Sequence, residues 1–584
     1  MSAQPNLVQR TPAPRAAWSL EQAGVSPLLA QLFASRGIKS ADELDAGLAK
    51  LLPPSGLKGI TEAARLLADC IEARQHICIV ADYDCDGATA CTVALRGLAL
   101  LGAVPASLSY VVPDRAIHGY GLTPAIVDLA LAQGRQPLPQ PQLLMTVDNG
   151  IASIAGIAHA NALGLQVLVT DHHLPAVFDG VTELPAAAAI VNPSQPGCGF
   201  ESKNLAGVGV AFYVLLALRS ELRARGRFDA QSQPKLDGLL DLVALGTVAD
   251  VVKLDANNRR LVAQGLKRMR AGRAHAGVAA LFSAAGRDST RANAFDLGFA
   301  LGPRINAAGR LSDMTLGIEC LLTDDPTRAL ELAKQLDAIN RERRVIEADM
   351  REQAEFKLEA LLQDPRLMGE PPPALAIFEA EFHEGVVGII ASRLKDRVHR
   401  PSFVFARGAD GQLKGSGRSI AGFHLRDALD LISKRHPALL KKFGGHAMAA
   451  GCTLADDGFD CFDAALRQIA SEWLDAAALT RTLRTDGPLA AEHFNPASVQ
   501  ALEEQVWGQA FEAPLFCDYV EIISQRIVGE KHMKLRLRQA GLLRDAIWFG
   551  HIEPLPAQGQ MAYRLSLDEY QGQQRVQMIV EAMV

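Results

Sequence analysis

No stretch of this chain is apolar for long enough to cross a bilayer. The longest such run, Leu205 to Leu218, is broken by glycines and falls short of the roughly 20 residues a spanning helix needs. The opening MSAQPNLVQRTPAPRAAW has no apolar core behind its charges, so a secretory signal is not expected, the segment reads as a proline-rich tail, and the expected compartment is the cytoplasm. The nine cysteines are odd in number and include no CxxC pair, which argues against a disulfide framework and a zinc ribbon. A net charge of −6 excludes a generally basic nucleic-acid coat, leaving local patches such as Arg259–Arg273, Arg393–Arg400 and Lys434–Lys442. Also absent are GxxxxGK, GxGxxG, HExxH and GxSxG, which removes the usual support for ATP-driven, nicotinamide-dependent, zinc-protease and serine-hydrolase chemistry.

What remains is an ordinary globular composition, 49% hydrophobic and 21% charged over 584 residues. That length divides into roughly three or four domains. From about residue 60 to 250, short apolar runs alternate with helical patterns, as in βαβ units on a parallel sheet. HICIVADYD, QLLMTVDNG and LQVLVTDHH each read as a buried strand that stops at an acidic residue. A long helix is predicted from Pro326 to about Leu362, then a proline cluster and a second α/β region. Beyond about 475, short alternating runs predict a small β domain of barrel or OB-like type.

Asp82, Asp84 and Asp86 in ADYDCDG stand at alternate positions, so an extended backbone would present three carboxylates on one side. Three adjacent anions repel, and a divalent cation with a taste for oxygen, Mg²⁺ or Mn²⁺, relieves them. An EF-hand loop also begins this way, but its twelfth position, where a bidentate Glu belongs, is Val93. Asp148 closes a second strand and Asp171-His172-His173 a third. Carboxyl ends of parallel strands share one edge, where ligands bind, so these endings should converge. Asp250, after another apolar stretch, completes a set sufficient for two cations and in-line attack of water on phosphorus. Arg304, Asn306 and Arg310 in GPRINAAGR, Ser416 and Arg418 in KGSGRS, and His446 in FGGHAMAAG are candidate phosphate donors on glycine-bearing turns.

Taken in order, DYDCDG, VDNG, DHH, ADVV, GPRINAAGR, GSGRS and FGGHAMAAG resemble the DHH phosphoesterase superfamily and, within it, the RecJ exonucleases, over about residues 70 to 455. The resemblance implies an α/β fold: a lead-in over 1–50, a DHH domain with a parallel sheet over 51–325, a connector helix over 326–365, a DHHA1 domain over 366–465 and an OB-like domain over 470–584. It implies Asp82, Asp84, Asp86, Asp148, His172 and Asp250 as ligands of two Mn²⁺ or Mg²⁺ ions, with Asp148 bridging and His173 against the scissile phosphate. Arg115, an arginine of GPRINAAGR, Ser416 and Arg418 would hold a 5′ end, giving 5′-to-3′ hydrolysis of single-stranded DNA to 5′-mononucleotides in recombination and repair. Partners implied are a single-strand-binding protein and a RecQ-type helicase. The competing expectations are a phosphodiesterase for short oligonucleotides or cyclic dinucleotides, and a non-catalytic replication scaffold. One segment departs from the family pattern: VWGQAFEAPLF, residues 506 to 516, replaces a PFGxGNPEP-like turn. On the OB-like domain, Lys531, His532, Trp548 and Phe549 are candidate strand contacts, the two aromatics equally suited to that domain's core.

Overall fold

The computed structural model describes residues 5–114, 118, 121–133, 140–178, 181–362, 371–380, 382, 386–408, 411–445, 447–570 and 573–584. Among these, no helix is long and apolar enough to cross a membrane. The chain divides into two compact units, one of Pro12–Arg343 with Ala497–Ala513, the other of the segment up to Thr11 with Arg344–Pro496 and Pro514–Val584.

The first unit is built on a five-stranded sheet. Its order is Leu108–Val111, Ile77–Ala81, Leu143–Val147, Gln166–Thr170, Ala189–Val191, with every pair parallel. The second and third of these strands are buried at every position, as continuous aliphatic runs must be when helices cover both sheet faces. Helices Ile60–Glu72, Cys85–Leu100, Gly207–Ala224 and Leu240–Ala249 supply the largest core. The lead-in is no tail: helices Pro14–Gln22 and Pro27–Ala34 send Leu20, Ala30 and Phe33 into that core.

The divergent segment belongs to this unit as far as Ala513. Trp507 lies over Phe511 with ring centroids 5.4 Å apart and against Phe33 at 5.7 Å, while Arg36 and Arg259 cover the two rings from outside. These aromatic and cation contacts explain why a different sequence is tolerated here: the turn plugs the first unit's own core.

The helix Pro326–Leu362 leads from the first unit into the second. There a sheet ordered Leu440–Gly445, Ala449–Leu454, Leu413–Arg418, Ser402–Arg407, Leu375–Phe378 carries helices Val387–Val398, Leu425–Arg435 and Phe459–Trp473. Asn6–Gln9 pairs in parallel with Thr482–Thr485. A closed five-stranded barrel follows, formed by Phe516–Val528, His532–Gln539, Leu542–Phe549, Gln558–Tyr570 and Gln573–Met583, the architecture of an OB fold.

KGSGR is the central strand of the second unit's sheet and not a turn. Alternation decides its composition. Gly415 and Gly417 face the buried rings of Phe405 and Phe403, which a Cβ on either glycine would overlap, while Ser416 and Arg418 take the opposite face. Gly415→Ala should therefore destabilise this unit by about 1–3 kcal/mol through overpacking. Urea unfolding with an unchanged midpoint would contradict that packing.

Candidate active site

The strand register sets up the site. Ala81 pairs with Val147, Val147 with Thr170 and Thr170 with Val191, so the residues that follow, Asp82, Asp148, Asp171 and Asn192, leave the sheet in a row. Strand order reverses between Ile77–Ala81 and Leu143–Val147, the topological switch point where open parallel sheets bind ligands. The row therefore begins in the crevice the topology opens.

The three aspartates of the first motif are not on an extended strand. The strand stops at Ala81 and a helix starts at Cys85, so the motif is the connecting turn. Asp84 caps that helix, its carboxylate accepting a hydrogen bond from Gly87 N at 2.9 Å. Asp82 accepts from Tyr83 N at 2.7 Å. Asp86, in the first helical turn, accepts from Gly207 N at 2.6 Å and Val208 N at 2.9 Å, the opening amides of another helix. Asp148 is 1% exposed and sits at φ 62° ahead of Asn149 and Gly150, a strained backbone for a residue other than glycine. A Cβ on Gly207 would stand 2.5 Å from Asp148 Cβ, so only glycine lets that helix close over the carboxylate.

His172 Nε2 lies 3.1 Å from Asp148 Oδ1 and 3.5 Å from Asp250 Oδ2. Among the described residues, three overlapping sets have candidate ligand atoms within 4.8 Å of one another: Asp148, His172 and His173; Asp86, His172 and Asp250; Asp82, Asp84 and Asp148. Asp148 and His172 each belong to two sets, as residues between two cations would. Asp171, which the sequence offered only as part of a motif, has a different task. It is fully buried and accepts from Ile151 N, His172 N, His173 N and His173 Nδ1 at 2.7 to 3.1 Å. Asn192, unmarked by any motif, donates to His173 O at 2.9 Å. Its signal was its place at the end of a fourth strand.

Burial, and after it the crowding of anions, governs the electrostatics. Burial, then Asp84, pushes the Asp82 carboxyl up to about 8, and the same two causes push Asp86 up to about 7. Asp148 and Asp250 are driven well above the usual carboxylate range by burial and by Asp86 and Asp84. Burial works against a charged His173, but its hydrogen bond to Asp171 prevails and raises the imidazole to about 9; burial likewise opposes the Asp171 carboxylate, which the same bond holds below its ordinary value. The donor set of oxygens with one or two imidazoles suits Mn²⁺ or Mg²⁺. Asp250 Oδ2, buried without a hydrogen bond, is the kind of atom a cation satisfies.

The predicted phosphate donors fall in both units. Arg304 is held by Asp337, at 3.0 Å from Nε, and by the Ala300 carbonyl at 2.5 Å. Asn306 accepts from Cys85 N at 2.7 Å and so steadies the aspartate turn. Both lie on a helix, Gly302–Leu311, not on a turn. Arg310 lines a cleft of about 770 Å³ with Tyr83, Tyr110, His118 and Met314. In the second unit Arg418 Nη1 donates to Ser416 Oγ at 3.0 Å. A Cβ on Gly388 would stand 3.1 Å from Arg418 Nη2 and 3.2 Å from Ser416 Oγ, so this pair faces the start of helix Val387–Val398, where amides favour an anion. Arg115 and His446 lie outside the described residues. In the basic stretch 259–273, Arg259 covers Phe511, Arg268 approaches Asp241 and Arg270 donates to the Ala292 carbonyl. Arg400 is buried and donates to the Leu479 carbonyl. On the barrel, Phe549 is exposed beside His532, and Trp548 stacks on His551 at 4.0 Å.

A pH dependence follows. Carboxyls that ionise near 4 when unfolded but near 7 and 8 when folded stabilise the metal-free protein only while protonated, and His173 acts in the same direction. The Tm of metal-free protein should fall between pH about 5 and about 8, and the rise produced by Mn²⁺ should grow over the same window as cations displace those protons. A pH-independent rise would contradict the crowding.

The chain matches three family descriptions: the DHH family, N-terminal domain over residues 76–247, the DHHA1 domain over 372–474 and the RecJ OB domain over 485–582. It is 46% identical over 569 residues to the single-stranded-DNA-specific exonuclease RecJ of Escherichia coli, covering 96% of each chain. Its fold is similar to RecJ of Thermus thermophilus in complex with Mn²⁺, with a TM-score of 0.75 and 29% identity over 100% of this chain and 79% of that one. The Mg²⁺ complex from the same organism gives 0.70 and 27%, over 99% and 78%. With its aspartate and histidine row on a DHH-type sheet and close relatives along nearly its whole length, this chain belongs to the RecJ family of DHH exonucleases.

Proposed function

We propose that this chain is a metal-dependent exonuclease that degrades single-stranded DNA from the 5′ end to 5′-mononucleotides. The observation that carries this reading is the buried row of carboxylates around His172, too crowded to stay ionised without cations, in a chain 46% identical to a single-stranded-DNA-specific exonuclease. Asp82, Asp84, Asp86, Asp148, His172 and Asp250 would hold two divalent cations, Mn²⁺ or Mg²⁺. Bound there, the cations supply Lewis-acid activation of water and neutralise charge at phosphorus.

The protein supplies the rest. Asp171 accepts from His173 Nδ1 and orients the ring, which in its protonated form would donate to a non-bridging oxygen of the scissile phosphate. Asn306 and the amides of Gly207 and Val208 fix the aspartate turn, so the carboxylates need no rearrangement to receive cations. In the second unit, Ser416 and Arg418 beside a helix start form an anion pocket suited to a 5′-phosphate; Arg115, Arg310 and His446 are assigned to phosphate contacts as well. Arg304 serves by bracing its own helix against Asp337. The barrel adds affinity for long strands. Acting on single strands in the cytoplasm, the enzyme would serve recombination and repair and work beside a single-strand-binding protein and a RecQ-type helicase.

Strands labelled at one end or the other test this reading. Intact protein with Mn²⁺ or Mg²⁺ should release labelled mononucleotide first from the 5′ label, EDTA should stop it, and Asp148→Ala should lower the rate by at least about a thousandfold, the scale of losing a principal electrostatic element. Release first from the 3′ label, or digestion by Asp148→Ala at the parent rate, would overturn it.

A further inference from the structure

Apolar rings are out of place on a surface unless something covers them. Phe295 and Phe299 are 58% and 72% exposed, and their rings stack on one another with centroids 4.6 Å apart and an interplanar angle of 22°. Phe299 lies in a π-helical segment, Asp296–Leu301, and Phe295 immediately precedes it; Leu297, Ala300 and Leu301 of the segment are buried in the main core. Asp296 and Asn293 pin its start by exchanging hydrogen bonds at 3.2 and 3.0 Å. The rings are thus presented outward by a firmly anchored element, and π-helical turns of this kind cluster at functional sites.

The segment lies beside elements that carry residues of the candidate active site. A Cβ on Gly298 would stand 3.4 Å from Val248 Cγ1 and one on Gly302 3.0 Å from Ala249 Cβ, so the segment lies beside the end of the helix that delivers Asp250. The helix that follows the segment carries Asn306, which holds the aspartate turn. At the residue after Asp250, Val251 is 64% exposed at φ 59°, a left-handed conformation that a β-branched side chain rarely takes. An apolar side chain is thereby held out of the core beside the site. Earlier in the chain, Arg287 and Arg291 are exposed, Arg287 with its Nε 3.7 Å from Asp296 Oδ1.

We propose that Phe295 and Phe299 form a stacking platform for the bases of the single strand as it leaves the carboxylate row, with Arg287 and Arg291 facing its phosphates. The inference rests on the single-strand reading above. Aromatic faces flanked by cations are the general means of holding a single strand without regard to sequence. A protein partner would gain from the same apolarity, but it gives no reason for the nearness to Asp250.

The test uses the full chain in EDTA, with fluorescence anisotropy on a long single strand and on an abasic strand of equal length. Phe295→Leu with Phe299→Leu keeps the apolarity and removes the π faces; it should weaken binding of the base-bearing strand on the order of tenfold and leave the abasic strand unaffected. Phe295→Tyr with Phe299→Tyr should bind like the parent. Equal affinity of the Leu pair and the parent for the base-bearing strand would overturn the platform and assign the rings to a protein partner. Equal losses on both strands would also overturn it, since bases would not be what the rings hold. If parent digestion of end-labelled strands proceeds while the Leu pair is unimpaired, only the platform fails; if the parent neither digests nor binds single strands, the exonuclease reading falls with it.

Discussion

Mutual repulsion among buried carboxylates is the constraint on which this structure turns. Asp82, Asp86, Asp148 and Asp250 are each displaced upward by burial first and then by neighbouring carboxylates, Asp84 among them in every case. Left to themselves such groups would take protons or spread apart. The fold prevents the second outcome. A parallel sheet fixes the row, the opening amides of the Gly207 helix grip both oxygens of Asp86, and a left-handed backbone holds Asp148 beneath a glycine. The free energy stored in that crowding is recovered when cations bind, so metal affinity and apo-protein strain are two aspects of one arrangement.

Asp171 shows the opposite design. Surrounded by donors, it stays ionised in a fully buried position and orients His173 as a cation. Two aspartates at equivalent strand ends, Asp148 and Asp171, thus take opposite roles, one crowded by anions and one satisfied by donors. The environment assigned by the register separates them, not the residue type.

How much of this was legible in the sequence depended on whether the information was local. Strands that stop at an acid are local, and parallel pairing turns that pattern into a row, so the site's centre could be read from VADYD, TVDNG and VTDHH. The long helix from Pro326 and the small β domain were equally readable. The partners of individual side chains were not. Arg304 finds Asp337, and Asn306 finds Cys85 N across 221 positions of sequence; both had looked like phosphate donors. The glycines of KGSGR suggested a turn, but they make room for Phe403 and Phe405 on a central strand. The segment around Trp507 looked like a damaged family motif, and it is an aromatic plug completed by Phe33. In each case the partner lies elsewhere in the sequence.

The central claim is that this row exists to hold two cations, and counting them tests it most directly. Equilibrium dialysis of the full chain against Mn²⁺, with bound metal measured per chain, should give two ions for the parent and fewer for Asp148→Asn, which removes the carboxylate shared between the sets. Fewer than two ions bound to the parent at saturation, or an unchanged count in Asp148→Asn, would contradict the account.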